Sequence, residues 1–255
     1  MDFYRQRARR GREAIRDYAA RLIPRRPASG KKMERHQNNM ALGTKIEHVI
    51  FCFKGIHTGS LNWNDFFREW CKERYPSVAV EEFDCGKIFG LQMYACGLLP
   101  ILGWRRQDNA YNFIRKRLRD YPKGISYSTL SHSFGTWLNT GMLWRHRAIK
   151  PHATILVGSV LSSHYLKTPW PKIFARKQAG KLAVFWSPND NTIEKLSQPI
   201  WGLSPFGHLG SRGFVDGVPE NAPLMQVKCD EKHSSYFEPH NRDKYFQQWV
   251  GYCLT

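Results

Sequence analysis

From residue 44 onward, short apolar runs the length of a β-strand alternate with stretches whose apolar residues recur every three or four positions. The strand-like runs are 46–53, 78–83, 125–130, 154–161, 182–186 and 224–229. The helical stretches are 63–75, 109–121, 134–144 and 241–254, the last with Asn241 as its expected N-cap. Strands separated by helices can pair in parallel, because a crossover helix returns the chain to the same edge of the sheet. The expectation is an α/β domain: a mostly parallel sheet with helices on both faces. Ligands of such sheets bind beyond the carboxyl ends of the strands. Chemistry is therefore to be sought after residues 53, 130, 161, 186 and 229.

A chain of 255 residues can hold one such domain of about 210 residues and an arm. Its 42% apolar and 14% aromatic residues supply a core and exclude a disordered chain, a collagen repeat or a coiled coil. No apolar run approaches the ~18 residues of a spanning helix, and the basic N-terminus lacks the apolar region of a secretory signal. Six cysteines, at 52, 71, 85, 96, 229 and 253, form no C-x-x-C pair and have no histidine at zinc-ligand spacing. They read as reduced thiols in a cytoplasmic protein, with no metal and no cofactor expected.

The net charge is +18, and residues 1–36 hold 12 Lys and Arg against 4 Asp and Glu. Tyr4, Ala8, Gly11, Ile15, Tyr18 and Leu22 form a helical stripe, flanked by Arg5, Arg7, Arg9, Arg10, Arg12 and Arg16. Pro24 and Pro27 end that helix, so residues 1–43 read as a basic helical arm and linker before a domain at 44–255. Such an arm reads first as a helix packed on the domain or a solvated extension; docking on an anionic membrane surface is the next reading, and nucleic acid the weaker one.

After the strand at 125–130 the chain reads Ser131-His132-Ser133-Phe134-Gly135 and enters a helix. This is the setting of a nucleophile elbow, G-x-S-x-G, in which a strained turn lifts a serine above the sheet and demands small residues on either side. Ser131 stands where glycine is usual. The competing reading is an ordinary N-cap serine. A nucleophilic serine needs a base and an orienting acid, in the chain order Ser, acid, His. Asp190 follows the strand at 182–186, and His233 follows the strand at 224–229. Asp216, Asp230 and Glu231 are alternative acids. His208 and His240 are less well placed rivals, and His132 is expected to point away. An oxyanion hole needs two backbone N–H groups. Phe134 offers one, and Ile56, following Lys54-Gly55 after the first strand, offers the other. Lys54 at the mouth would favour an anionic substrate. Trp170, Trp201 and Phe206 fall in Pro/Gly-rich loops at this edge and would line an apolar pocket.

On these segments the chain resembles the α/β-hydrolase superfamily, specifically serine esterases and lipase-like proteins of the GPI inositol-deacylase type. The resemblance covers residues 44–255. It rests on HVIFCFKGIHTG, SYSTLSHSFGTWL, TILVGSVL, VFWSPND and KHSSYF. It implies Ser133 as nucleophile, Asp190 as orienting acid, His233 as general base, and Ile56 with Phe134 as oxyanion donors. It further implies cleavage of a lipid-like or small acyl ester without a cofactor. Residues 201–214 would line or cover the site. The rival readings are a hydrolase-fold binding module without catalysis and a basic nucleic-acid-binding protein.

Overall fold

A computed structural model describes residues 45–55, 63–83, 100–198 and 206–255. The arm and linker of residues 1–43, Ile56 and Trp201 lie outside the described residues. Six strands form one sheet: β1 (His48–Phe53), β2 (Val78–Phe83), β3 (Ser126–His132), β4 (Ala153–Val157), β5 (Lys181–Trp186) and β6 (Leu224–Lys228). Their spatial order is β2-β1-β3-β4-β5-β6, and every described pairing is parallel. The helices are α1 (Trp63–Arg74), α2 (Pro100–Leu118), α3 (Phe134–Arg145), α4 (Trp170–Ala175), α5 (Asn191–Leu196), α6 (Leu209–Arg212) and α7 (Pro239–Leu254).

The period of two along each strand divides the interior into two cores. Val49, Phe51 and Phe53 of β1 and Leu182 and Val184 of β5 face one side. There they meet Ala110 and Ile114 of α2, Phe134, Leu138 and Met142 of α3, and Ile173 of α4. Ile50 and Cys52, with Ala183 and Phe185, face the other side, against Trp63, Phe67 and Trp70 of α1 and Phe246, Trp249 and Val250 of α7. Both faces of the central strands are covered, which is why β1 and β4 are apolar almost throughout and wholly buried. β6, at one edge, is only partly buried.

Three local expectations are corrected. The run at 154–161 ends as a strand at Val157, because Gly158 takes φ +50° and turns the chain out of the sheet. α2 begins at Pro100 rather than at 109, with the proline in the first turn, where its missing N–H costs nothing. Asn241 does not cap α7. The helix starts at Pro239 behind Glu238, and the Asn241 amide instead donates to Glu231 Oε2 (2.7 Å) and the Ser235 carbonyl (2.9 Å). Among the described residues, no helix is long and apolar enough to cross a membrane.

Candidate functional site

The strand order reverses at β1: its sequence neighbour β2 lies on one side and β3 on the other. Loops leaving β1 and β3 therefore diverge at the carboxyl edge and leave a crevice, the usual ligand position in such sheets. Ser133 stands there, between the last residue of β3 and the first of α3. Its backbone has φ 54° and ψ −127°, and its side chain makes no capping hydrogen bond. A serine that merely capped the helix would take extended backbone and bond an amide of the first turn. A left-handed conformation at a non-glycine residue costs about 1–3 kcal/mol, held by its surroundings.

Those surroundings explain the small residues. A Cβ on Gly135 would lie 2.2 Å from the Phe53 carbonyl oxygen, and one on Gly55 would lie 2.7 Å from Ser133 Cβ and 3.2 Å from Ser133 Oγ. The backbone after β1 thus runs directly against the elbow. Ser131 is accommodated because its buried hydroxyl donates to the Ile155 carbonyl (3.0 Å) and accepts from Asn139 Nδ2 (3.3 Å). The Ser133 N–H is spent on the Val157 carbonyl (3.0 Å). The Phe134 N–H, first in α3, has no intrahelical acceptor by its position. The Phe134 ring is buried, stacked on Trp137 (5.3 Å) and met edge-on by Phe206 (6.2 Å).

Asp190 and His233, 43 positions apart in the chain, are joined by a buried hydrogen bond. His233 Nδ1 donates to Asp190 Oδ2 at 2.8 Å. Asp190 is wholly buried and caps α5, its Oδ1 accepting the Ile193 N–H at 3.0 Å. With both carboxylate oxygens engaged, the side chain is fixed. An imidazole that gives its Nδ1 proton to a carboxylate keeps a lone pair on Nε2. The alternative acids are occupied elsewhere: Asp216 with His164 (2.7 Å), and Glu231 with Asn241 and Tyr245. Asp230 is exposed. His208 bonds Glu194 (3.1 Å), and His240 is exposed.

Two residues at this site were assigned no role from the sequence, and for one of them the expected direction is corrected. His132 does not point away. It is buried with its ring centroid 4.6 Å from that of His233, and its Nε2 donates to the His233 carbonyl at 2.8 Å. Burial, and then the neighbouring His233, hold His132 far below the ordinary histidine range, outweighing the carbonyl bond that favours the charged form. Gly158 lies against the pair: a Cβ there would be 3.0 Å from His233 Nδ1 and 3.2 Å from Asp190 Oδ2. Gly210 stands behind it, and its own Cβ would meet the Ser159 nitrogen at 2.5 Å. Glycines past a strand end, at 158 and in the 201–214 stretch, were the available signal. That stretch is stitched to the loop after β4 by Gly207 N–H to Val160 O (2.8 Å), Leu209 N–H to Leu161 O (3.0 Å) and Gly210 N–H to Ser159 O (2.7 Å).

Two expected pocket residues are placed differently. Trp170 opens α4 and is wholly buried in the core against Phe174, not in a loop. Lys54 is committed to Glu82 Oε1 at 2.5 Å, and Glu82 Oε2 also faces Arg68 at 3.4 Å. Burial would raise the Glu82 carboxyl, but the hydrogen bond from Lys54 and the charges of Lys54 and Arg68 hold it below its ordinary range. Among the described residues no three His, Cys, Asp or Glu are arranged to hold a metal, and Cys52, Cys71, Cys229 and Cys253 are buried free thiols.

No family model matches the chain, and no curated protein does. Solved structures do resemble it. Esterase PE8 is similar over 82% of this chain and 94% of its own, at 10% identity and a TM-score of 0.52. An uncharacterized protein from Bacillus cereus ATCC 10987 is similar over 94% of this chain and 67% of its own, at 11% identity and a TM-score of 0.55. The sheet order, the elbow after β3 and these likenesses agree: the chain has the α/β-hydrolase fold.

Proposed function

We propose that the protein is a serine hydrolase that cleaves an ester-type bond through an acyl-enzyme. The observation that carries this reading is the buried His233–Asp190 hydrogen bond at the same sheet edge as the left-handed Ser133. In the proposed reaction His233 Nε2 accepts the Ser133 hydroxyl proton as Oγ attacks the ester carbonyl. The developing oxyanion is met by the Phe134 N–H; Ile56, outside the described residues, is the second donor that the sequence offers. Asp190 holds the imidazole in the required tautomer and stabilises it while protonated. His233 then returns the proton to the departing alcohol. Water, deprotonated by the same nitrogen, releases the acid and restores Ser133.

The likeness to an esterase structure agrees with this reaction class at the level of fold. The resemblance to GPI inositol-deacylase-type proteins points to a lipid-like ester, and a small acyl ester is the other substrate in keeping with the chemistry. The proposed setting is the cytoplasm, with residues 1–36 drawn to an anionic membrane surface.

A fluorophosphonate that traps activated serines tests the mechanism on the full chain. Wild type should label, while Ser133→Ala and His233→Ala should not. A folded wild type that stays unlabelled, or labelling that survives Ser133→Ala, overturns the triad and leaves a hydrolase-fold binding module.

A further inference from the structure

Between Asp120 and Asp190 the sequence contains no Asp or Glu, yet it carries nine Lys and Arg. The fold gathers part of this run on one surface. α2, α3 and α4 lie side by side on the same face of the sheet. At the far end of α3 from Ser133, cations and aromatic rings alternate across the three helices. Trp144 is met by both Lys172 (5.3 Å) and Arg176 (4.5 Å) of α4 and its C-terminus. Arg145 lies over the exposed Trp104 at 4.9 Å. One turn along α2 from Asp108, Tyr111 is stacked by His146 at 4.0 Å. Among the described residues of α2, α3 and α4, Asp108 is the one carboxylate, and it is spent on Arg145 and His146. Among the described residues Lys172 and Arg176 have no carboxylate partner.

We propose that this α2–α3–α4 face binds a single-stranded nucleic acid, independently of the reaction at Ser133. A nucleic-acid strand alternates anionic phosphates with flat bases, and this surface alternates cations with flat rings. Ring contacts hold the Lys and Arg heads in place, where they face phosphate, and a guanidinium plane itself stacks a base. A lipid surface fits less well. It presents charge without flat partners, and membrane docking needs a protruding apolar face. The exposed Trp104 here already lies under the Arg145 guanidinium rather than forming such a face. α3 is twelve residues long, so the face lies roughly 16 Å from the elbow at 1.5 Å per residue. A strand bound there leaves the Ser133 crevice open.

The test compares two charge reversals of equal size in the full chain. Lys172→Glu with Arg176→Glu changes the proposed face. Lys72→Glu with Lys244→Glu changes exposed positions on α1 and α7, across the sheet. Binding of a labelled 20-nucleotide oligothymidylate is followed by fluorescence anisotropy from 50 to 300 mM salt. The first pair should weaken binding at least tenfold and flatten the log–log salt slope by about 1.4, two lost phosphate contacts at about 0.7 each on a single strand. The second pair should change affinity less than twofold. The neutral pair, Lys172→Gln with Arg176→Gln, should fall between wild type and the first reversal, which separates lost contacts from misfolding. Equal losses in both reversals mean attraction to net charge alone and overturn the proposal. So does oligonucleotide binding untouched by the first reversal while binding to phosphatidylserine–phosphatidylcholine vesicles is lost.

Discussion

A methyl group at residue 158 would meet His233 Nδ1 at 3.0 Å, in a backbone with φ +50° that side chains disfavour. Gly158→Ala should therefore displace the imidazole from Asp190. A misplacement of about 1 Å costs on the order of a hundredfold in rate. Ester turnover should fall about that far while far-UV circular dichroism stays unchanged. His132 supports the same imidazole from the other side, through the His233 carbonyl. His132→Leu removes the ring donor to that carbonyl; an unpaired buried acceptor costs about 1–3 kcal/mol. We expect kcat to fall and its acid limb against pH to move, with partial recovery in His132→Gln, which keeps an N–H donor. That Asp190 and His233 each fall just past a strand end is legible in the sequence. That they meet, and that His132 turns under His233, is not, because chain position carries no ring direction. The Trp170 indole shows the converse: Pro169 and Pro171 beside it read as loop, yet a proline is at home in the first turn of a helix.

At the scale of elements, the helices on the two faces differ in how they are held. α1 and α7 meet through aromatic contacts: Phe67 lies edge-on to Phe246 at 5.0 Å and to Trp249 at 6.3 Å, all fully buried. Phe67→Ala should cost about 3–5 kcal/mol, read as a drop in the urea midpoint with an unchanged slope. The helical stripe Trp63, Phe67, Trp70, Cys71 made this packing visible in advance. The early start of α2 was hidden because its reason is tertiary. Gln107 packs into the space left by Gly141 of α3, where a Cβ would strike its amide nitrogen. A glutamine facing a helix interior breaks the apolar period on which a sequence reading depends. The run at 154–161 overshot for a similar reason: Val160 and Leu161 are buried, but in a loop that the 206–210 segment covers rather than in the sheet.

For the whole molecule, buried titratable groups set the response to acid. His48 joins β1 to β3 through Ser128 (3.0 Å), and burial, aided by His152, lowers it from 6.5 to about 4. Between pH 6.5 and 4 the unfolded chain takes up a proton that the folded protein refuses, so stability falls as pH falls and levels off below 4. His132 acts in the same direction. Glu82, held below 4.5 in the fold, contributes stability above that pH and loses it as pH falls further. The urea midpoint at fixed ionic strength should decline from about pH 6.5 downward, and His48→Gln should flatten the upper part of that decline. The fold class was legible because alternating strand and helix periods admit few solutions. The spatial order of the strands, which makes the crevice, was not, since nothing in a strand's own residues names its neighbours.

Among the described strands β6 pairs with β5 alone, is the least buried of the six, and delivers His233 just beyond its end. Ser133, by contrast, leaves a strand paired on both sides. Opening of a structure is not uniform, and poorly buried edges detach at lower free energy than the centre. The His233 imidazole is therefore carried by a less protected part of the sheet than Ser133 is. On the proposed mechanism, heat or denaturant should part His233 from Ser133 early, and serine labelling should be lost while most of the sheet is still intact.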